Sequence, residues 1–176
     1  MKPIYLEMNY FGPHENSVVD FRLLDESPIF LISGDTGAGK STIFDAMTYA
    51  LFGTTTGDRD AKEMRSQFAT ADDRTSVTFY FEQGNLLYRI ERSPEQKLSK
   101  KRGSGSTLQK STAKLAIVDR VKGIEKNNIA INPKNVGEEI TRLLHLNAEQ
   151  FKKIILLPQN DFSRFLKSST PDKEAI

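Results

Sequence analysis

The sequence contains no cysteine, which excludes disulfides and cysteine-based metal sites. It has no run of about 18 consecutive apolar residues, the length a membrane-crossing helix needs. Its opening, MKPIYLEMNY, alternates polar and apolar residues, so the apolar core of a secretory signal is missing as well. These absences set the expectation of a cytoplasmic protein with no membrane partner. Histidine is scarce: His14 and His145 are the only two, which leaves no His/Asp cluster of the kind a two-metal nuclease uses. Large charge imbalance is absent too, the net charge being +2, too small to mark a nucleic-acid binder. No internal repeat and no LSGG-like signature occur.

What is present suits one domain with a real core: 176 residues, 38% of them hydrophobic. Residues 2–9 alternate as a strand, Phe11-Gly12-Pro13 breaks into a turn, and 18–21 reads as a strand pairing back. The run 29–32 is apolar and reads as a buried central strand ending at Gly34. Residues 40–52 have helical spacing, closed by Gly53. The alternations over 77–81 and 86–90, joined at Gly84-Asn85, predict a hairpin. Residues 96–111, rich in Lys, Ser and Gly, read as an exposed loop, and 115–118 as a strand. The last third is helical: 133–146 with Pro133 near its start, 148–156 capped by Asn147, then a short amphipathic piece over 162–166 beyond Pro158. Thr170-Pro171 opens a further helix five residues before the end.

The strongest chemical signal is Gly34-Asp35-Thr36-Gly37-Ala38-Gly39-Lys40-Ser41, a match to G-x-x-x-x-G-K-[ST]. The glycines permit backbone angles that turn successive N–H groups inward. Those donors and the N-terminus of helix 40–52, Thr42 included, suit anionic phosphates. Lys40 can reach the β- and γ-phosphates as a point charge, and the Ser41 hydroxyl can ligate Mg²⁺. At ordinary residue frequencies such a match arises by chance in roughly 1% of chains this long. The expected ligands are therefore ATP and Mg²⁺.

A phosphate loop needs a second magnesium acid, commonly after four apolar residues. Leu115-Ala116-Ile117-Val118-Asp119 fits that pattern. With Asp119 in this role the chain would be a self-contained kinase or NTPase. The next residue, however, is Arg120 and not the Glu that activates water, and the strand follows a polar loop and not a crossover helix. An exposed Asp at the end of an antiparallel strand is the expected reading.

Two stretches together, FLISGDTGAGKSTIFDAMTYALFG (30–53) and ILLPQNDFSRFL (155–166), resemble the N-terminal ATPase half of the SbcC family. These are the ATP-binding-cassette subunits of bacterial DNA-end nucleases. Phe11-Gly12-Pro13-His14, Met64-Arg65-Ser66 and Lys100-Lys101-Arg102-Gly103 are similar to it as well. The resemblance implies that Gln159 joins the magnesium shell and senses the γ-phosphate, and that His14 and Arg65 approach the nucleotide. It implies a second magnesium acid, a catalytic Glu and a signature motif in a C-terminal lobe beyond a long coiled coil. It also implies an ATP-dependent dimer with a second head, the nuclease SbcD as partner, and double-stranded DNA or DNA ends as the substrate of the complex. Asp35 departs from the family's usual residue, and its carboxylate is expected to point away from the phosphates.

From Lys97 to Lys114 the chain carries Lys97, Lys100, Lys101, Arg102, Lys110 and Lys114 with no acid. Such a segment can neutralise a phosphate backbone without reading sequence. The expected fold is an α/β phosphate-loop NTPase lobe of the ATP-binding-cassette or SMC-head type over residues 1–169. A mostly parallel core would carry the loop, an antiparallel part would span about 75–132 together with 2–33, and helices would occupy 133–167. Residues 170–176 would begin the coiled coil. The competing readings are another SMC-like or RecF-like ATPase head, and a kinase using Asp119.

Overall fold

A computed structural model of the chain describes residues 1–24, 31–57, 59–100 and 102–155. The expectations for Ile29 and Phe30, Lys101, Gln159, the 162–166 piece and the helix from Thr170 lie outside the described residues.

Strand β1 (Lys2–Phe11) pairs with β2 (His14–Asp20) through the Gly12-Pro13 turn. On its other edge it meets β3 (Ser76–Gln83), which forms a hairpin with β4 (Leu86–Ser93). Strands β7 (Thr112–Val118) and β8 (Glu125–Ile131) extend the sheet to the order β2-β1-β3-β4-β7-β8. A small ribbon, β5 (Gln96–Ser99) with β6 (Ser106–Gln109), stands apart as a second sheet.

Period-two alternation explains which face is buried. Leu6 and Met8, Val77, Phe79 and Phe81, Tyr88 and Ile90, and Leu115 all turn to one side and are buried. Against that side lies helix α1 (Lys40–Phe52), whose Ile43, Ala46, Met47, Ala50 and Leu51 are buried with them in one cluster. Burying each large aliphatic or aromatic side chain contributes about 1.5–3 kcal/mol, so the sheet–helix contact dominates the stability of this lobe. Helix α2 (Pro133–Leu144) adds Val136 and Ile140, and α3 (Ala148–Ile155) adds Phe151, whose ring lies 5.2 Å from that of Phe52. Both helices start on an asparagine. Asn132 Oδ1 accepts from Asn135 N at 3.0 Å, with Pro133 in the first turn where no N–H is needed. Asn147 and Gln150 cap each other reciprocally, at 2.9 and 3.0 Å.

Two sequence expectations change. Every strand pairing among the described residues is antiparallel, where a mostly parallel core was expected. Residues 31–35 carry no strand, and Leu31 is 87% exposed. A strand exists through its neighbours' hydrogen bonds, and no described strand pairs with this segment. The second change is at 96–111: the expected loop contains the β5–β6 ribbon. Its polar composition hides a local alternation in which Gln96 and Leu98 are buried while Lys97 stays exposed.

Helix α1 is fixed at its C-terminal end by Arg92. This residue follows Tyr88 and Ile90 on the inward face of β4 and is 3% exposed. Its Nε donates to the Ala50 carbonyl at 2.6 Å and its Nη2 to that of Leu51 at 3.1 Å. A cation at the last carbonyls of a helix also meets the negative end of its dipole. Burial pulls the Arg92 guanidinium down to about 10, the cost of placing a charge there. Gly53 ends the helix at φ 76, and a Cβ on it would stand 3.2 Å from Arg92 Nη1.

Candidate functional site

The loop between Gly34 and Lys40 owes its shape to glycines. Gly37 and Gly39 sit at φ 88 and 87, a region that side chains resist. Nothing lies within 4 Å of where a Cβ on Gly37 would be, so the loop is open at Gly37. Ala38 N donates to the Asp35 carbonyl at 3.2 Å, closing the turn. Gly39 is the N-cap of α1 without any side-chain cap, and its carbonyl accepts from Thr42 N at 3.1 Å. The helix therefore presents its positive end to the loop.

Lys40 Nζ folds back over the loop and donates to the Gly34 and Asp35 carbonyls, at 2.7 Å each. The ammonium thus already sits within the curve of the loop. Ser41 is exposed with Asp35, Thr36 and Ala38, whereas Thr42 is buried beneath them. An ammonium in the curve, a helix N-terminus and an exposed hydroxyl one residue on fit a Mg²⁺-bound polyphosphate. Lys40 and the loop N–H groups would hold the phosphates and Ser41 the metal. The metal would supply charge neutralisation of the phosphates.

His14 comes to this site. Its Nε2 lies 3.2 Å from the Gly39 carbonyl oxygen and its Nδ1 3.0 Å from Ser17 Oγ. The guanidinium of Arg65 is turned elsewhere. Its Nη1 donates to the Asp73 carbonyl, Thr75 Oγ1 and Gln96 Oε1 at 2.9, 3.0 and 2.6 Å, and its Nη2 to the Thr70 carbonyl at 2.6 Å. Asp119 sits at the β7–β8 turn. It accepts from Val121 N and Lys122 N at 2.8 and 3.0 Å, and pairs with Lys126 at 2.9 Å. These backbone donors and that cation lower its carboxyl to about 2.

Of the basic segment, Lys97, Lys100, Arg102 and Lys110 are exposed on and around the ribbon. Lys114 lies instead in β7 and pairs with Glu125, which also holds Arg89 at 2.8 Å. The ribbon is pinned at its base. Gln96 Oε1 accepts from Thr75 N at 2.8 Å, Gln96 Nε2 donates to Ser93 Oγ at 2.6 Å, and Ser99 N donates to the Ala71 carbonyl at 2.7 Å. Two residues of structural weight do not stand out in the sequence. Arg92 could be found from strand parity, since it shares the inward register of Tyr88 and Ile90. Ser17 carries no signal, because its part depends on the ring of His14. Among the described residues no group of three or more His, Asp or Glu could hold a metal ion, and no helix is long and apolar enough to cross a membrane.

The AAA domain family model matches residues 5–176. The SbcC subunit of nuclease SbcCD from Lactococcus lactis subsp. lactis is 99% identical over 176 residues, all of this chain and 17% of that protein. The SbcC subunit from Vibrio cholerae is 38% identical over 178 residues, and that from Staphylococcus aureus 41% over 179, again with all of this chain and 17% of the relative covered. The chain spans about 17% of the length of the curated relatives it matches. With a family match over nearly every residue, and an antiparallel sheet and a few helices consistent with the N-terminal lobe of an α/β phosphate-loop NTPase, the chain belongs to the AAA domain family.

Proposed function

We propose that this chain is the ATP-binding part of an SbcC-type ATPase head that works in the cytoplasm. The observation carrying the reading is the open glycine loop at the N-terminus of α1, with the Lys40 ammonium inside its curve. Lys40 and the backbone N–H groups of Gly34–Ser41 bind the phosphates of ATP, and Ser41 holds Mg²⁺ with Gln159. The rest of the site comes from a C-terminal lobe and a second head, which closes on the nucleotide. ATP binding and hydrolysis then govern access of DNA ends to an SbcD nuclease, and the cutting chemistry belongs to that partner. The exposed cations Lys97, Lys100, Arg102 and Lys110, together with Lys101, contact the duplex backbone. The identity to SbcC subunits of SbcCD nucleases over this chain's full length supports the reading.

The kinase reading needs Asp119 beside the phosphates. Its carboxylate is already committed to two backbone N–H groups and Lys126 at the far turn of the sheet, so this reading is not favoured. The test is equilibrium binding of Mg·ATP by calorimetry. Lys40→Ala should weaken binding by tenfold or more, since a hydrogen bond to a charged group is worth about 1.5–3 kcal/mol. Equal affinity of the parent and the variant would sink the assignment of the loop.

A further inference from the structure

The β1–β2 turn is locked onto the phosphate loop. Its approach begins at Tyr10, a non-glycine residue at φ 46. The pairing of β1 with β3 ends at Asn9–Ser76, and beyond it the Tyr10 carbonyl accepts from Ser66 N at 2.8 Å and Gly12 N donates to the Met64 carbonyl at 2.7 Å. The chain is thereby swung over the start of α1. There the approach is close enough to need glycine on both sides. A Cβ on Gly12 would stand 2.7 Å from Thr42 Cγ2, and a Cβ on Gly39 would stand 2.5 Å from His14 Nε2 and 2.7 Å from Pro13 Cγ.

With a neutral ring the hydrogen bonds of His14 have one consistent direction. A carbonyl oxygen only accepts, so the 3.2 Å contact to Gly39 requires the proton on Nε2. In the neutral ring Nδ1 is then an acceptor, and the Ser17 hydroxyl donates to it across 3.0 Å. Ser17 sets the ring, and the ring sets the Gly39 carbonyl. That carbonyl closes the first turn of α1 through Thr42 N at 3.1 Å. Its peptide partner is the N–H of Lys40, so the orientation of one fixes the direction of the other.

We infer that His14 is a positioning residue for phosphate binding, acting through the Gly39 carbonyl and not through contact with the nucleoside. This rests on the ATP reading proposed above. Anion sites built from backbone N–H groups depend on preorganisation. Loss of the His14 hydrogen bond should therefore reach any ligand that carries the phosphate chain, whether or not it carries a base.

The experiment measures binding of Mg·ATP and of Mg·tripolyphosphate to the full chain, and amide hydrogen exchange at Thr42 without ligand. His14→Phe keeps a ring of similar size and removes both hydrogen bonds. It should raise Kd for both ligands by about tenfold, the scale of one hydrogen bond, and speed exchange at Thr42. His14→Gln, which retains a donor, should restore both affinities to within about threefold of the parent. Unchanged affinities in His14→Phe would overturn the role, as would a Gln variant no better than Phe. So would a loss confined to ATP, which would mean direct contact with the nucleoside. Should His14→Phe fail to fold, Ser17→Ala carries the test, with a smaller loss for both ligands expected and no loss overturning the role. Failure of the parent to bind either ligand would overturn the ATP reading and this role together, whereas normal binding that His14→Phe leaves untouched overturns the role alone.

Discussion

Asp119 illustrates how one residue can carry a motif without its chemistry. Four apolar residues followed by an acid look alike whether the acid faces a magnesium ion or ends a hairpin. The deciding facts are its partners, two backbone N–H groups and Lys126. They stabilise the ionised form, which is why its carboxyl falls from 3.8 to about 2. The sign follows from linkage. A depressed carboxyl contributes stability above its unfolded value, near 3.9, and loses it as pH falls through about 2. Asp119→Asn should lower the denaturation midpoint at neutral pH, and the gap between variant and parent should close between about pH 4 and pH 2. A gap that persists unchanged to pH 2 would show that the ionised form is not what stabilises the turn. Arg92 teaches a related lesson. Its parity in β4 puts it inward, yet nothing in sequence says that the carbonyls waiting there belong to the last turn of α1, some 40 residues earlier in the chain. Residue identity is legible, but the partner is not.

Among the elements, α1 and the β5–β6 ribbon show opposite degrees of legibility. The helix is legible with its observed bounds, 40–52, because glycine stands at each end and the residues between have an unbroken apolar spacing. What cannot be read is that it is gripped at both ends, by the His14 turn and by Arg92. Arg92→Met tests the second grip. It relieves the desolvation of a buried cation, but it leaves the Ala50 and Leu51 carbonyls without their donors in a buried place. Each such loss costs about 1–3 kcal/mol, so urea unfolding should show a net loss of about 1–3 kcal/mol. A variant as stable as the parent would mean that relief of desolvation offsets the missing bonds. The ribbon escapes a reading of the sequence because four-residue strands rich in Ser, Thr and Lys look like loop. Its register is set from outside, by Gln96 pinned among Thr75, Ser93 and Arg65. That anchoring fixes the base of the ribbon, with Lys97 on β5 and Lys100 and Arg102 in the connection to β6. Replacing Lys97, Lys100 and Arg102 with Ala should weaken duplex binding and flatten the slope of log K against log salt by up to about 3, one unit for each phosphate no longer neutralised. An unchanged slope would assign the duplex to another surface.

At the scale of the whole molecule, the sheet and the site differ in what they need. The antiparallel sheet closes on residues within the described chain, and its hairpins are legible because their strands are neighbours in sequence. The expected central strand before Gly34 is legible as an apolar run, yet 31–35 pair with no described strand and Leu31 is 87% exposed. An apolar segment can be read from sequence, whereas the partners of a parallel strand lie far along a chain and cannot. The site has the same asymmetry. Its near side, the loop with Lys40 and Ser41, is assembled, and the acid that looks like its second magnesium ligand is engaged elsewhere. Binding and turnover should therefore separate. On the proposed reading the phosphate contacts come from the loop, whereas hydrolysis needs a group that activates water, and Arg120 stands where such a Glu would follow Asp119. The isolated chain should bind Mg·ATP but release phosphate at a rate barely above buffer, and Asp119→Ala should leave both measurements where they were. Addition of a C-terminal lobe that supplies an acid, a catalytic Glu and a signature motif should raise turnover, and Lys40→Ala should abolish that gain. Steady turnover by the isolated chain, lost on Asp119→Ala, would overturn the half-site reading and put the kinase in its place.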